Sequence, residues 1–447
     1  MGELFGTDGV RGVAGEYPLD PPTVFRLGRA LVRAGRRRVL IGRDTRASGP
    51  WVSSVLDAGI RSENGSAVQA GILTTPAVAV LTGILGLDAG VAVSASHNPY
   101  QDNGIKIFSG DLRKISDEEE KRIEEALLQD TALPSFSRNP GDETGDDIGA
   151  MDEELAERYA EFLLGKLRLD SLSQLRIVLD CANGAAYRIA PSVFQRLGAD
   201  VLVIEASPDG RNINRQCGAV HPERMAGTVV DGGASVGAAF DGDADRVIFC
   251  DGQGRIFDGD HVLLILARYL KRKGGLRSLC VVTTVMANKG LEVALRDEGL
   301  KMVRTPVGDK YVMEEMVRGR HDLGGEPSGH VILGEDLMAG DGILTALKIT
   351  EIMRETGSSL GELADGFEKF PQILVNVAVR EKLDFSKIAP IREEIESARR
   401  ELGDAGRVLV RYSGTEPLVR IMLEGRHQEE IVRYAGNIAE RFRAALG

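Results

Sequence analysis

Three α/β domains followed by a smaller α+β domain are predicted by two patterns in this 447-residue chain. An apolar strand, a polar or Gly-rich loop, an amphipathic helix, a glycine and a second apolar strand recur three times. The C-terminal stretch then abandons that rhythm for a strand of alternating residues. The length agrees, since it suggests about three domains, each with ample core.

The first copy runs from Arg38-Val39-Leu40-Ile41 through the loop Gly42 to Gly49 and a helix carrying Trp51 and Leu56 to Ala67-Val68. The second runs from Ile177-Val178-Leu179 through Asp180 to Gly184, a helix carrying Phe194 and Leu197, and Gly198, to Val201–Ile204. The third is Cys280-Val281-Val282, Thr283 to Lys289, a helix carrying Leu291 and Leu295, Gly299, then Met302-Val303. Strand–helix–strand units with right-handed crossovers imply parallel or mixed sheets covered by helices, and three of them imply three similar domains.

Within the first domain, Ser116 and Glu119 form a capping box for a helix reaching Leu128. The acids Asp117–Glu120 read as its solvated first turn, favoured by the helix dipole, and not as a metal site. The Pro-, Gly- and acid-rich stretch Pro134 to Ile148 reads as a loop at a domain edge. In the last segment Ile373, Val375, Val377 and Val379 alternate with Leu374, Asn376, Ala378 and Arg380, the period of a half-buried strand. A helix-rich region, strands around Val408–Val410 and Leu418–Met422, and a closing helix complete it. The domains are set at residues 1–150, 151–250, 251–368 and 369–447.

Net charge is −12 and the pI is near 5.2. That argues against nucleic-acid or anionic-membrane partners, which need a basic face. A small phosphorylated substrate stays compatible, because one Arg-lined cleft can be positive inside an acidic protein. Cys181, Cys217, Cys250 and Cys280 lie far apart without a C-x-x-C, as reduced, buried thiols of a cytoplasmic protein would. The N-terminus has no apolar signal region, and Gly6 stands where myristoylation requires Ser or Thr. The most apolar window, Pro76 to Ala95, is broken by Thr82, Gly83, Gly86, Asp88 and Gly90, so it reads as a buried helix and a strand, not a membrane span. No Walker A or G-x-G-x-x-G pattern occurs, so neither ATP nor a dinucleotide is implied.

Chemistry concentrates in Asp241-Gly242-Asp243-Ala244-Asp245-Arg246, which lies between the apolar runs Val236–Phe240 and Val247–Cys250. Three acids between two buried strands are costly without a cation, and an all-carboxylate set suits Mg²⁺. An EF-hand is excluded, because its sixth position would be Gly and is Arg246, and its twelfth would be Glu and is Gly252. A second motif, Ser94-Ala95-Ser96-His97-Asn98-Pro99 with Asp102-Asn103-Gly104-Ile105-Lys106, follows the strand Val91–Val93. Neighbours on an extended chain point to opposite faces, so His97 is not expected to serve Ser96 as a base, and no G-x-S-x-G elbow surrounds it.

Together these two loops resemble the α-D-phosphohexomutase superfamily. Three further motifs extend the resemblance over essentially the whole chain. They are Gly6-Thr7-Asp8-Gly9-Val10-Arg11-Gly12, Gly325-Glu326-Pro327-Ser328-Gly329-His330, and Arg411-Tyr412-Ser413-Gly414-Thr415-Glu416-Pro417 with Arg420. The resemblance implies that the domains surround a central cleft and that Ser96 carries a phosphoryl group. It also implies one Mg²⁺ per subunit, held by Asp241, Asp243, Asp245 and a phosphate oxygen on Ser96. Phosphoserine and three aspartates need converging cations, for which Arg11, Arg246, Lys106 and His97 are the candidates. Lys106 and His330 are the candidates for proton handling. Arg246, Thr305, Gly308, Asp309, Glu326 and Ser328 are expected at the sugar phosphate. Arg411, Ser413, Gly414, Thr415 and Arg420 are expected at the phosphate that is not being transferred.

The implied reaction moves a phosphoryl group within a hexose monophosphate, through phosphoserine and a 1,6-bisphosphate of glucosamine or glucose that also serves as activator. Asn212-Ile213-Asn214, Cys217-Gly218, His221-Pro222-Glu223 and Thr305–Val312 are similar to the phosphoglucosamine mutase branch. Its substrate is a hexosamine phosphate for amino-sugar nucleotide and cell-wall precursor synthesis. Pro327 stands where that branch commonly has an amide, and Tyr412 where Pro or Lys is usual. A phosphomannomutase/phosphoglucomutase therefore stays open, as do a metal-dependent phosphatase and a sugar-phosphate sensor. A homodimer is among the compatible assemblies.

Overall fold

β-Branched and small apolar residues set the strands of the first sheet, which runs Val10–Val13, Asp102–Ser109, Ala89–Val93, Arg38–Arg43, Ser66–Ile72 from edge to edge. The computed structural model describes residues 4–6, 8–131, 148–413 and 417–447. Thr7, Gly414, Thr415 and nearly all of the loop expected at 134–148 lie outside the described residues. The described chain forms two units, residues 1–286 with 302–365, and residues 287–301 with 366–447.

In the first sheet the last three strands are parallel to one another, and Asp102–Ser109 is antiparallel to both its neighbours. The second sheet repeats this order as Ile256–Phe257, Val247–Asp251, Val236–Phe240, Arg176–Asp180, Asp200–Ile204. Its last three strands are again parallel to one another, and Val247–Asp251 is antiparallel to both its neighbours. The third sheet keeps four of the five positions, as Lys301–Thr305, Cys280–Thr284, Leu323–Gly325, Val331–Leu333. The recurring sequence pattern is therefore a recurring mixed-sheet topology.

That topology positions the chemistry. In each copy the third strand of the parallel set turns back into an antiparallel neighbour, at the carboxyl edge where α/β folds leave a crevice. The Ser96 loop occupies this turn in the first sheet, Asp241–Arg246 in the second and Glu326–His330 in the third. A β-bridge between Arg246 and His330 joins the second and third turns. Gly242 lies against the first, since a Cβ there would stand 2.6 Å from the Ser96 carbonyl oxygen.

Helix ends follow local capping chemistry. Asp20 caps Pro21–Arg33, Asp341 caps Gly342–Thr356, and Ser116 and Glu119 complete the expected box on Asp117–Leu128. The acids of that last helix are not all solvated: Lys310 Nζ lies 2.8 Å from Glu120 and also contacts Asp117. A lysine from the third α/β repeat thus answers a run that sequence alone assigns to water.

The second unit holds an antiparallel sheet in the order Gln372–Ala378, Leu418–Gly425, Gly406–Tyr412, with the helices Lys289–Asp297, Ala389–Leu402 and Gln428–Leu446. Ile391, Ile395, Ile421, Ile431, Ile438 and Phe442 form its core. It is the α+β region expected from the alternation at Ile373–Val379. All four cysteines are buried. No helix among the described residues is long and apolar enough to cross a membrane.

Candidate active site

Ser96 sits at a left-handed φ of +53° just after the buried strand Ala89–Val93. That conformation breaks the up–down alternation of an extended chain. It corrects the expectation that His97 points away from Ser96, because Ser96 Oγ lies 3.5 Å from His97 Nδ1. The serine hydroxyl itself is donated to Asp241 Oδ2 at 2.5 Å. Ser94 is occupied elsewhere: its Oγ donates to Asp44 Oδ2 at 2.6 Å and accepts from Ser96 N–H at 2.9 Å.

Oxygen atoms of Asp241, Asp243 and Asp245 lie within 4.8 Å of one another, all three residues buried. Burial, with Asp245 and Asp243 alongside, holds the Asp241 carboxyl well above the usual range. Lys106 answers this charge. Its ammonium is 2.9 Å from both Asp243 Oδ2 and Asp245 Oδ2 and 3.3 Å from Asp8 Oδ2. Burial works against the Lys106 charge, but the three carboxylates outweigh it and raise its pKa well above the ordinary value. Lys106 therefore stands as a fixed cation of the cluster.

The donor set fits Mg²⁺. Asp243 Oδ1 and Asp245 Oδ1 are buried without a hydrogen-bond partner among the described residues, and carboxylate oxygens are the ligands that a hard cation takes. Thr75 steadies the Asp243 carboxylate through its other oxygen, donating Oγ1 to Asp243 Oδ2 at 2.6 Å.

Beside the cluster lies a cavity of about 500 Å³. Arg11, Asp245, Arg246, Gly308, Asp309, Glu326 and His330 line it, so seven expected residues converge there, together with Asp8. Burial lowers the His97 pKa to about 4, aided by Arg246 and Arg11, and Arg246 donates Nη1 to His97 Nδ1 at 3.1 Å. His330 is the opposite case. Burial disfavours its charge, yet Asp245, Asp309 and Glu326 raise its pKa, with Asp245 Oδ1 and Asp309 Oδ2 each 3.7 Å away. Burial raises the Glu326 carboxyl, whose Oε1 accepts from Gly308 N–H at 3.3 Å.

Of the residues expected at the sugar phosphate, Thr305 and Ser328 are not among those lining the cavity; nor are Ser96, His97, Lys106, Asp241 and Asp243. Thr305 donates its hydroxyl to the Pro306 carbonyl at 2.9 Å, and Ser328 Oγ is buried without a hydrogen bond. Residues that the sequence reading left aside also matter. Asp8 bridges Lys106 and Lys114, and Lys114 reaches Asp309 Oδ2 at 2.5 Å. Asp44 and Arg46 lie beneath the Ser96 loop. The signal for that pair was an Asp-x-Arg directly after a buried strand.

In the second unit Arg411 and Arg420 are cross-strand partners, and Lys382 Nζ donates to the Ser413 carbonyl at 2.7 Å. Three cations thus gather near Ser413 at one end of that sheet.

Comparison with known proteins follows this architecture piece by piece. The family described as phosphoglucomutase/phosphomannomutase matches through its alpha/beta/alpha domain I at residues 2–133, domain II at 157–254, domain III at 258–370 and C-terminal domain at 374–441. A phosphoglucosamine mutase of Koribacter versatilis is 46% identical over 453 residues, covering 100% of this chain and 97% of its own. Among solved structures, a phosphoglucomutase/phosphomannomutase family protein from Burkholderia thailandensis superposes with a TM-score of 0.78 at 23% identity, covering 99% of this chain and 98% of its own. An N-acetylphosphoglucosamine mutase of Aspergillus fumigatus, solved with GlcNAc-6P and magnesium, gives 0.66 at 19% identity, covering 99% and 96%. With three α/β repeats, a C-terminal α+β domain and matches along nearly its whole length, this chain belongs to the phosphoglucomutase/phosphomannomutase family.

Proposed function

We propose that the protein is an isomerase that interconverts glucosamine 6-phosphate and glucosamine 1-phosphate, with Ser96 as the phosphoryl carrier. The observation that carries this reading is the Ser96 hydroxyl 2.5 Å from Asp241, in a buried acidic cluster beside a cavity lined with Arg11, Arg246 and His330. The full-length likeness to phosphoglucosamine mutases supports the choice of sugar.

In the first half-reaction the P–Oγ bond of phosphorylated Ser96 breaks as a bond forms from phosphorus to the free sugar hydroxyl. The proton of that hydroxyl ends on the departing Ser96 Oγ, and the bisphosphate remains in the cleft. After the sugar turns over, its other phosphate returns to Ser96 by the reverse exchange. Arg11, Arg246, Lys106 and His330 supply fixed positive charge where negative charge gathers. His330, whose charged form its acidic neighbours favour, would relay that proton, Lys106 stays a fixed cation, and neutral His97 accepts from Arg246. Glu326 accepts from sugar hydroxyls, with Ser328, Thr305, Gly308 and Asp309 around it. Arg411, Ser413, Gly414, Thr415 and Arg420 hold the phosphate that stays in place.

Asp241, Asp243 and Asp245, with a phosphate oxygen on Ser96, would hold one Mg²⁺. When bound it would supply Lewis-acid neutralisation of the transferring group. Glucosamine or glucose 1,6-bisphosphate would load Ser96. A cytoplasmic location fits four buried thiols.

Comparing kcat/KM on glucosamine, glucose and mannose 6-phosphates tests the sugar, and glucosamine 6-phosphate is expected to be preferred. Higher values for the other two would make the protein a phosphomannomutase/phosphoglucomutase. Free phosphate without the isomeric sugar phosphate would make it a phosphatase.

A further inference from the structure

Ser96 is held by both of its backbone polar groups, and none of the holding side chains is itself assigned to substrate, metal or proton transfer. Its N–H donates to Ser94 Oγ at 2.9 Å, and that hydroxyl is fixed by Asp44 Oδ2 at 2.6 Å. Its carbonyl accepts from Arg46 Nη2 at 3.0 Å and from Asn214 Nδ2 at 2.8 Å.

Arg46 does more than hold one carbonyl. The side chain is 0% exposed, and it donates to the backbone oxygens of Ser96, Asn98, Pro99 and Asp102 while its Nε pairs with Asp44 Oδ2 at 2.9 Å. Asn214 adds a second bond to Asn98 O at 3.2 Å. A planar fork of five donors can satisfy several carbonyls of one turn at once, whereas an ammonium on a flexible stem cannot.

A buried guanidinium is retained here at a position where the chain needs a strained turn. A non-glycine residue at φ +53° is uncommon and persists only when its surroundings over-determine it. The strained residue is the one whose Oγ faces Asp241.

We propose that Arg46, with Ser94 and Asn214, positions Ser96 for phosphoryl transfer by locking its left-handed backbone, so that this frame sets the rate at which Ser96 exchanges phosphate and not the affinity for sugar. The proposal rests on Ser96 being the carrier. None of the three residues lines the cavity, so their loss should leave sugar binding alone.

The test follows phosphoryl uptake onto Ser96 from glucose 1,6-bisphosphate by mass spectrometry, alongside steady-state kinetics on glucosamine 6-phosphate. Arg46→Lys keeps the charge and loses the fork; Ser94→Ala removes the acceptor of the Ser96 N–H together with the donor to Asp44. Uptake and kcat are expected to fall about 100-fold in Arg46→Lys, the cost of misplacing a reacting group by about an ångström. In Ser94→Ala the fall is roughly tenfold, the loss of the one hydrogen bond to the Ser96 N–H. KM should stay within about twofold of wild type in both. Should Arg46→Lys fail to fold, Ser94→Ala decides. Uptake at the wild-type rate in Ser94→Ala, or a loss expressed in KM, overturns the proposal. Wild-type protein that takes no phosphate on Ser96 overturns the carrier assignment beneath it.

Discussion

Arg411 on one strand stands directly opposite Arg420 on its antiparallel neighbour. Cross-strand partners share a face of the sheet, and like charges so placed repel by roughly 0.2–1 kcal/mol. Two guanidinium groups so placed suit bidentate contacts to a phosphate. Arg420→Ala should therefore weaken binding of the phosphate that is not transferred by about 10- to 150-fold. Both the 6-phosphate and the 1-phosphate substrates should suffer alike, because the sugar turns over and presents either end. Forward and reverse kinetics check this, and a loss in one direction alone would contradict a shared anchor.

The carboxylates that would hold Mg²⁺ are steadied by a threonine outside the acidic motif. Thr75 holds Asp243 Oδ2 at 2.6 Å. Groups that orient metal ligands typically contribute 10- to 100-fold in affinity. Thr75→Val should weaken Mg²⁺ binding, read by calorimetry, by roughly that factor. Unchanged affinity would show that Asp243 needs no such support.

Lys106 makes a separate prediction about the metal-free protein. It is the ammonium between Asp243 and Asp245, and removing one partner of a buried ion pair costs about 3–5 kcal/mol. Lys106→Met should lower the melting temperature in chelator, and added Mg²⁺ should restore part of the loss. An unchanged melting temperature in chelator would mean that the cluster is balanced some other way.

Stability should also respond to Asp341. This buried carboxyl caps the helix Gly342–Thr356 and accepts from Tyr159 Oη at 2.7 Å. Burial pushes its pKa up to about 6 from 3.8, so the folded state favours the protonated acid. The contribution is present below about pH 4 and is lost as pH rises through about 6, up to ~3 kcal/mol. Denaturant unfolding of Asp341→Asn should lack this falling segment between pH 4 and 6. A variant with the wild-type pH profile would place the effect elsewhere.

The strands and the repeated units were legible because they rest on local pattern, apolar runs and glycine stops, while three of the five loops were read only through resemblance. What pattern could not supply was the third dimension. The expectation for His97 failed on one backbone angle, the left-handed Ser96, which no periodicity signals. The acids at Asp117–Glu120 looked solvated because their partner, Lys310, lies 190 residues away in sequence from Glu120. Arg46 read as an ordinary loop residue, since four acceptors in the Ser96–Asp102 turn become its neighbours only after folding. The equivalence of the three functional turns likewise follows from sheet order, not from any resemblance among the turns themselves.

The central claim is that Ser96 carries the phosphoryl group, and peptide mapping after incubation with glucose 1,6-bisphosphate tests it most directly. Ser94 is committed to Asp44 and to the Ser96 N–H, while Ser96 presents its hydroxyl to the acidic cluster. One phosphoryl group should appear, on Ser96, and should be passed on when glucosamine 6-phosphate is added. Ser96→Ala should take none and lose nearly all turnover. Phosphate mapped to Ser94, or a Ser96→Ala protein that still isomerises the sugar phosphate, would contradict the account.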